Sequence, residues 1–501
     1  MMKFCLLWLF GYFFVILRKI FNDMKNRLIL MLTLVFALPM ALCAQTLSLD
    51  SCRSMALRNN KQLKVADAKI DAAQFTKKQA FAAYLPGIDF QGMYLWNQKE
   101  LSLLSEDQML PTKSFNLDTG TYDYNLVINP ATGKPLVVNG QPVPSTVAMI
   151  PKSAMTFDIH NVFAGAVTLT QPIFMGGKIR ALNNVAQAAT NLAKSQRNSV
   201  ENELIYNVDA AYWMVVSLRA KESLAQSYVS LLDSLCANVD ALKREGLATQ
   251  SDMLTVEVKR NEANVDMVKV RNGVSLARMA LAQLCGLPVN SQFTLADEGT
   301  NEVGQVLAPV VNFNMEDVYS RRPEIQSLQS AVTVYEEKAR AARADMMPTL
   351  AAMAAYSFSN PNMFNGFEKK FSGMFSVGAV LKIPVWHWGG NYYKYRAAKA
   401  EALVQKYNLE EAREKIELQV NQAAFKMQEA YKVQEATKAN LAKADDNLRS
   451  ATIGYREGVL TTNDVLAAQT AWLKANSENI DAEIDIRLCS VYLSKVLGTL
   501  K

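Results

Sequence analysis

Beyond its first 44 residues the chain has no apolar run that could cross a bilayer as a helix, which takes about 20 residues, so passage through lipid has to use strands. Charge of one sign is also missing. The formal net charge is only +6 over 501 residues and is not clustered, which argues against a nucleic-acid partner. Histidine is nearly absent: the two present, His160 and His387, lie near strand ends with no Cys, Asp or Glu at ligand spacing, so neither a metal nor a cofactor is expected. No Ser-His-Asp set or carboxylate pair stands out, and Gly176-Gly177-Lys178 lacks the spacing of a phosphate loop, so the chain does not read as an enzyme. Four of the six cysteines follow the leader: Cys52, Cys236, Cys285 and Cys489. The last three sit among apolar residues of helical stretches and read as small buried side chains, while an oxidising compartment leaves a disulfide open.

Residues 1–44 read as a leader. Met24-Lys25-Asn26-Arg27, the apolar run Leu28–Leu42 and Cys43-Ala44 have the three regions of a secretory signal, so translation is expected to start at Met24 and the product to be exported. Upstream, Phe4–Leu17 is short for a membrane anchor. Cys43 admits two readings, an ordinary cleavage site or a lipidated cysteine, and the bulky Leu42 before it speaks for the first.

What the sequence has is a duplication. Arg244-Glu245-Gly246-Leu247-Ala248-Thr249-Gln250-Ser251-Asp252 returns as Arg456-Glu457-Gly458-Val459-Leu460-Thr461-Thr462-Asn463-Asp464, and Gln171-Pro172-Ile173-Phe174 returns at the same offset as Ile383-Pro384-Val385-Trp386. The copies span 45–288 and 323–501, with 289–322 as a linker that forms a small side domain. Gly and Pro are missing from Lys178 to Glu245, which predicts one very long helix, with its counterpart over Asn391–Glu457. Shorter helices are expected over Ser251–Cys285 and Asn463–Leu497, and before the strands over Asn60–Tyr84 and Pro323–Met346. In the latter pair Leu63, Ala66, Ile70 and Ala73, and Ile325, Leu328, Val332 and Tyr335, repeat with the spacing of a coiled-coil seam.

Between those helices each copy carries a strand pair. Ile88, Phe90, Tyr94 and Trp96 alternate with Asp89, Gln91 and Met93; Phe375, Val377, Ala379 and Leu381 alternate with Met374, Ser376 and Lys382. One apolar face and one polar or small face suit a lipid-facing barrel with a wet interior. Four strands cannot close such a barrel, so several chains have to share it. The segment Asn97–Asn161 makes the first hairpin far longer than the second, where Ser359–Lys370 suffices; both are expected as outer loops. Trp386 and Trp388 read either as an interfacial belt or as packing at a crowded bend.

The opening Leu47-Ser48-Leu49-Asp50-Ser51-Cys52, the junction Gln171-Pro172-Ile173-Phe174-Met175-Gly176-Gly177, both glycine-containing hairpin tips, and Leu284-Cys285-Gly286-Leu287-Pro288 together resemble the TolC-like outer-membrane efflux proteins. The resemblance covers the mature chain. It implies a mostly α fold with a small membrane β-barrel: a homotrimer of twelve strands in outer-membrane lipid above a periplasmic α-barrel of long helical hairpins. It also implies a periplasmic adaptor (membrane fusion protein) and an inner-membrane pump as partners. The function implied is passive conduction from that pump across the periplasm and outer membrane. The rival reading is a periplasmic adaptor or coiled-coil scaffold that forms no pore.

By the same resemblance Gly246, Leu247, Ser251, Asp252, Gly458 and Val459 are docking positions at the tips, and Asp464 with Tyr455 lies at the periplasmic entrance. Three copies of Asp464 would form a carboxylate ring on a threefold axis. Leu460 and Ala467 depart from the familiar pattern where some relatives lock the entrance, which leaves two readings: other bonds hold it, or it is looser. Independently of any pore, Thr249 with Asp252 and Thr461 with Asp464 have the spacing of capping boxes, and Gly246 and Gly458 suit left-handed helix ends.

Overall fold

The computed structural model describes residues 45–299 and 313–500. The leader, Met24 and Cys43 lie outside the described residues, as do residues 300–312 of the linker. The chain divides into two compact units, each assembled from pieces of both copies.

The first unit holds, of the described residues, 199–299, 313–321, 416–500 and the N-terminal segment through Lys64. Strand β1 (Gln45–Leu47) pairs in parallel with β4 (Phe293–Leu295). Helix α1 (Leu49–Asn59) follows, started by Ser48, whose hydroxyl accepts from the Ser51 amide at 3.2 Å. The sequence reading placed no helix here and started one at Asn60. Asn60 is instead a break: its backbone is extended, and its side chain accepts from the Gln62 amide at 2.8 Å to begin α2 (Lys61–Ala82).

Two helices of 67 residues each, α3 (Lys178–Arg244) and α7 (Gly390–Arg456), would be about 100 Å long. Their C-terminal parts lie in the first unit beside α4 (Gln250–Cys285) and α8 (Thr462–Val496). All six long helices expected from the sequence are present, each with both ends within two residues of the reading. Two apolar clusters hold this unit. One gathers Leu204, Val208, Tyr212 and Val215 of α3 with Cys52 and Ala56 of α1 and Leu281 and Cys285 of α4. The other packs Leu232 and Val239 of α3 against Val256 and Met267 of α4 and Val465 and Leu466 of α8. Burying each such side chain is worth about 1.5–3 kcal/mol, against the entropy of ordering the chain.

The second unit holds residues 65–198 and 322–415. Here α2 packs along the start of α3: the Asn183 amide donates to the Ala80 carbonyl at 2.8 Å, and Arg197 pairs with Asp67 at 3.1 Å. A short helix α5 (Met315–Arg321) in the first unit precedes α6 (Pro323–Ala344), which reaches α7 through Lys406 and Glu336 at 2.8 Å. Proline opens α6, where its missing N–H costs nothing.

Four strands form one antiparallel sheet. In spatial order they are β6 (Ser372–Lys382), β5 (Thr349–Asn360), β3 (Asn161–Met175) and β2 (Gly87–Trp96). The insertion between β2 and β3, read from sequence as a loop, carries several short β-ribbons. One ribbon pairs Gln108–Pro111 with Val147–Ile150, a second of the same length pairs Lys113–Asn116 with Thr121–Tyr124, and a shorter one pairs Val137–Val138 with Gln141–Pro142. Its Gly and Pro residues break it into pieces too short for periodicity to register.

Candidate functional site

Register decides which side chains share a face of the sheet. Phe90 lies opposite Val167, Val167 opposite Tyr356, and Tyr356 opposite Phe375; one step along, Ile88, Leu169, Ala354 and Val377 form the next row. Since alternate residues point the same way, these rows make one continuous apolar face. The opposite face carries Asp89, Gln91, Thr168, Ser357, Ser376 and Lys382. Among the described residues nothing covers the apolar side: Phe90 and Phe375 are each 67% exposed and Val377 72%.

Aromatic rings bind that face together where glycines make room. The Phe358 ring lies over Gly165, whose added Cβ would come within 2.6 Å of it, and the Tyr356 ring lies over Gly373. Phe358 stacks with Phe90 at 6.4 Å between centroids, bridging two strands that are not neighbours. The outer strands β2 and β6 each have one edge unpaired among the described residues.

Below the sheet, each copy turns from strand to helix through residues of positive φ: Gly176 and Gly177 in the first, Trp388 and Gly389 in the second. A Cβ on Gly176 would strike Met347 at 2.6 Å, so this position has to be glycine. Asp345, just past α6, ties the two turns, accepting from Lys178 at 2.8 Å and from Lys394 at 2.6 Å. Lys178 and then Lys394 hold its carboxyl below the usual carboxylate range. Trp386 and Trp388 are 71% and 86% exposed and meet each other edge to face at 5.8 Å, so the crowded-bend reading does not hold within the chain.

The two hairpin tips repeat one geometry. After α3 the Leu247 amide reaches back to the Leu242 carbonyl at 2.8 Å around Gly246, and after α7 the Val459 amide reaches the Gly454 carbonyl at 2.8 Å around Gly458. Thr249 and Asp252 cap α4 reciprocally at 3.1 and 2.9 Å. Thr461 and Asp464 cap α8 at 3.3 and 2.8 Å. These boxes stand where spacing placed them. Hydrogen bonds from the threonines keep both aspartates below the ordinary carboxylate range, Asp464 as well as Asp252. Leu247 and Val459 project outward, 77% and 78% exposed. Ser251 and Asp464 are exposed, whereas the Tyr455 hydroxyl is buried and has no hydrogen-bond partner among the described residues. The structure also accounts for Gly454 and Leu460. The Leu460 side chain lies against Gly454, where a Cβ would come within 2.9 Å.

Several contacts were not read from sequence. Arg53 of α1 clasps the fully buried Asp209 of α3, and the Tyr212 hydroxyl donates to Asp297 at 2.5 Å; a lone Asp within the apolar run Leu204–Val216 was the available signal. Glu298 accepts from Arg278 at 2.8 Å, pinning the segment after β4 to α4. His160, expected to stand apart from carboxylates, meets Asp158 at 2.6 Å, and their ligand atoms lie within 4.8 Å of one of Glu100. Lys369 neutralises Asp158 at 2.5 Å, joining the long insertion to the short loop of the second copy, and it is the first cause holding the Asp158 carboxyl far below its ordinary value.

A profile described as outer membrane efflux protein matches residues 147–287 and 315–499. None of the curated proteins matches in sequence. The fold is similar to that of the CusC channel, at a TM-score of 0.69 and 17% identity, covering 90% of this chain and 92% of that one. It is similar to the CmeC outer membrane channel of Campylobacter jejuni, at 0.69 and 15%, covering 90% and 86%. The outer membrane protein VceC of Vibrio cholerae gives 0.67 and 14%, covering 90% and 96%.

Proposed function

Because the chain belongs to the outer membrane efflux protein family, we propose that three copies pool their sheets into one twelve-stranded barrel and conduct cargo passively from an inner-membrane pump. Membership of that family removes the rival reading, a non-conducting adaptor or scaffold. The observation that carries the proposal is the four-stranded sheet with one apolar face, one polar face and two open edges. In lipid each unpaired backbone group costs several kcal/mol, and an edge of β2 or β6 carries several. Strands alternate in direction across the sheet, so β6 of one copy meets β2 of the next antiparallel, and a threefold ring of such contacts closes without an edge.

In that assembly Ile88, Phe90, Tyr356, Phe375 and Val377 face lipid, while Asp89, Gln91, Thr168, Ser376 and Lys382 line water. Trp386 and Trp388 sit at the membrane boundary, where an amphipathic indole is best placed. The long helical hairpins continue the passage into the periplasm. Leu247 and Val459 at their tips offer exposed apolar anchors to a periplasmic adaptor, with Gly246, Ser251, Asp252 and Gly458 framing them. Asp464, exposed and kept ionised by its cap, supplies one carboxylate per chain to a ring at the periplasmic entrance, with Tyr455 behind it. Nothing in this machinery needs a cofactor, and selection of cargo belongs to the pump.

Reconstitution into planar bilayers tests the conduit. Discrete ohmic conductance is expected from the purified chain. Bilayers that stay silent with protein shown to be inserted would refute it.

A further inference from the structure

Among the buried thiols two meet. Cys52 of α1 and Cys285, the last residue of α4, are both completely buried, and the Cys285 thiol donates to the Cys52 carbonyl at 3.7 Å. Each thiol is the first cause of the other's shifted ionisation, Cys52 down and Cys285 up, so the two side chains are neighbours. The backbone on either side is already in contact. The Asn60 amide donates to the Leu284 carbonyl at 3.3 Å, and Gly286 lies so close to Asn59 that an added Cβ would stand 2.5 Å from the Asn59 Cβ. Cys236 lies in the other apolar cluster, and Cys489 is only partly buried.

We infer that Cys52 and Cys285 are joined by a disulfide in the exported protein. An outer-membrane protein matures in an oxidising compartment, where buried cysteine pairs in contact are oxidised and stay so. Closing the bond sets the two sulfurs about 2.0 Å apart between chain segments that already touch at Gly286 and Asn59. Complete burial shields both thiols once α1 is docked, so the reaction belongs to folding. One thiolate attacks the disulfide of a thiol-disulfide oxidoreductase, releasing one of its sulfurs as a thiol. The second thiolate then attacks the mixed disulfide and releases the other. Two protons and two electrons leave the cysteines, and the oxidoreductase disulfide becomes a dithiol. The bond fastens the N-terminal helix to the end of the first copy across a span of sequence long enough to restrict the unfolded chain strongly.

The test uses the full chain, exported and extracted from outer membranes in detergent. Free thiols are alkylated under denaturing, non-reducing conditions, and peptides are mapped by mass spectrometry. The expected result is a linked Cys52–Cys285 peptide with Cys236 and Cys489 alkylated, and a doubling of alkylated sites after reduction. Alkylation of Cys52 and Cys285 without reduction, or either of them linked to another cysteine, would overturn the assignment.

Discussion

The Arg53 guanidinium holds the Asp209 carboxylate with two parallel bonds, Nε to Oδ1 at 2.7 Å and Nη2 to Oδ2 at 2.5 Å, and the carboxylate has no solvent exposure at all. Asp209 sits among Leu204, Val208, Tyr212 and Val215, so the pair anchors α1 in the largest apolar cluster by charge as well as by packing. Removing one partner of such a pair strands the other. Arg53→Met is therefore expected to destabilise the protein by about 3–5 kcal/mol. Replacing both, as Arg53→Met with Asp209→Leu, should recover much of that loss, read as midpoints in chemical denaturation. A single variant that melts like the wild type would show the pair to be ornamental.

Register assigns opposite environments to neighbours in β6. Val377→Arg places a charge on the face proposed to meet lipid and is expected to cost about 2–4 kcal/mol and to deplete the protein from outer membranes. Ser376→Arg, one residue away, should be inserted normally and change conductance instead. The comparison needs only membrane fractionation and single-channel recording. If both variants insert equally and conduct equally, the face assignment is wrong.

At the second tip the capping role of the Asp464 carboxylate and the role proposed for it at the pore entrance separate by substitution. Asp464→Asn keeps a capping oxygen but removes the charge, so it should weaken cation selectivity of the pore with little change in stability. Thr461→Ala removes the hydroxyl that accepts from the Asp464 amide and should cost about 1 kcal/mol while leaving the charge in place. Unchanged selectivity in the first variant would remove Asp464 from the conduction path.

The Lys178–Asp345–Lys394 clamp carries a pH dependence of known sign. Its carboxyl titrates below the ordinary value in the folded protein, so the clamp contributes fully at neutral pH. The contribution starts to fall as pH drops through the unfolded value of about 3.9 and is gone once pH passes the lower folded value. Asp345→Asn should lower the melting temperature at pH 7 and narrow the gap to wild type as pH falls below about 4. A gap independent of pH would mean that the aspartate acts through shape and not charge.

The long helices, the strand alternation and both capping boxes were legible because each depends on residues a few positions apart. A period of 3.6, a period of 2 and a Thr-x-x-Asp box are local quantities. What escaped depends on distant partners. Arg53 and Asp209, Cys52 and Cys285, and the lysines on Asp345 are brought together only by the fold, and no spacing announces them. Helix α1 escaped because Asn60 stops it after 11 residues, too short for its pattern to outweigh the break. The insertion escaped because its ribbons are two to four residues long. Glycine weakens a strand by leaving no side chain to pack, but at Gly165 and Gly373 the rings of Phe358 and Tyr356 occupy the space left.

The central claim is that edges β2 and β6 are satisfied only by other copies of the chain. The most direct measurement is the mass of the detergent-extracted, unheated protein by native mass spectrometry. The account predicts three chains that stay together in detergent and separate to single chains on boiling. A stable monomer, with β2 and β6 amides that resist hydrogen exchange in isolation, would contradict it.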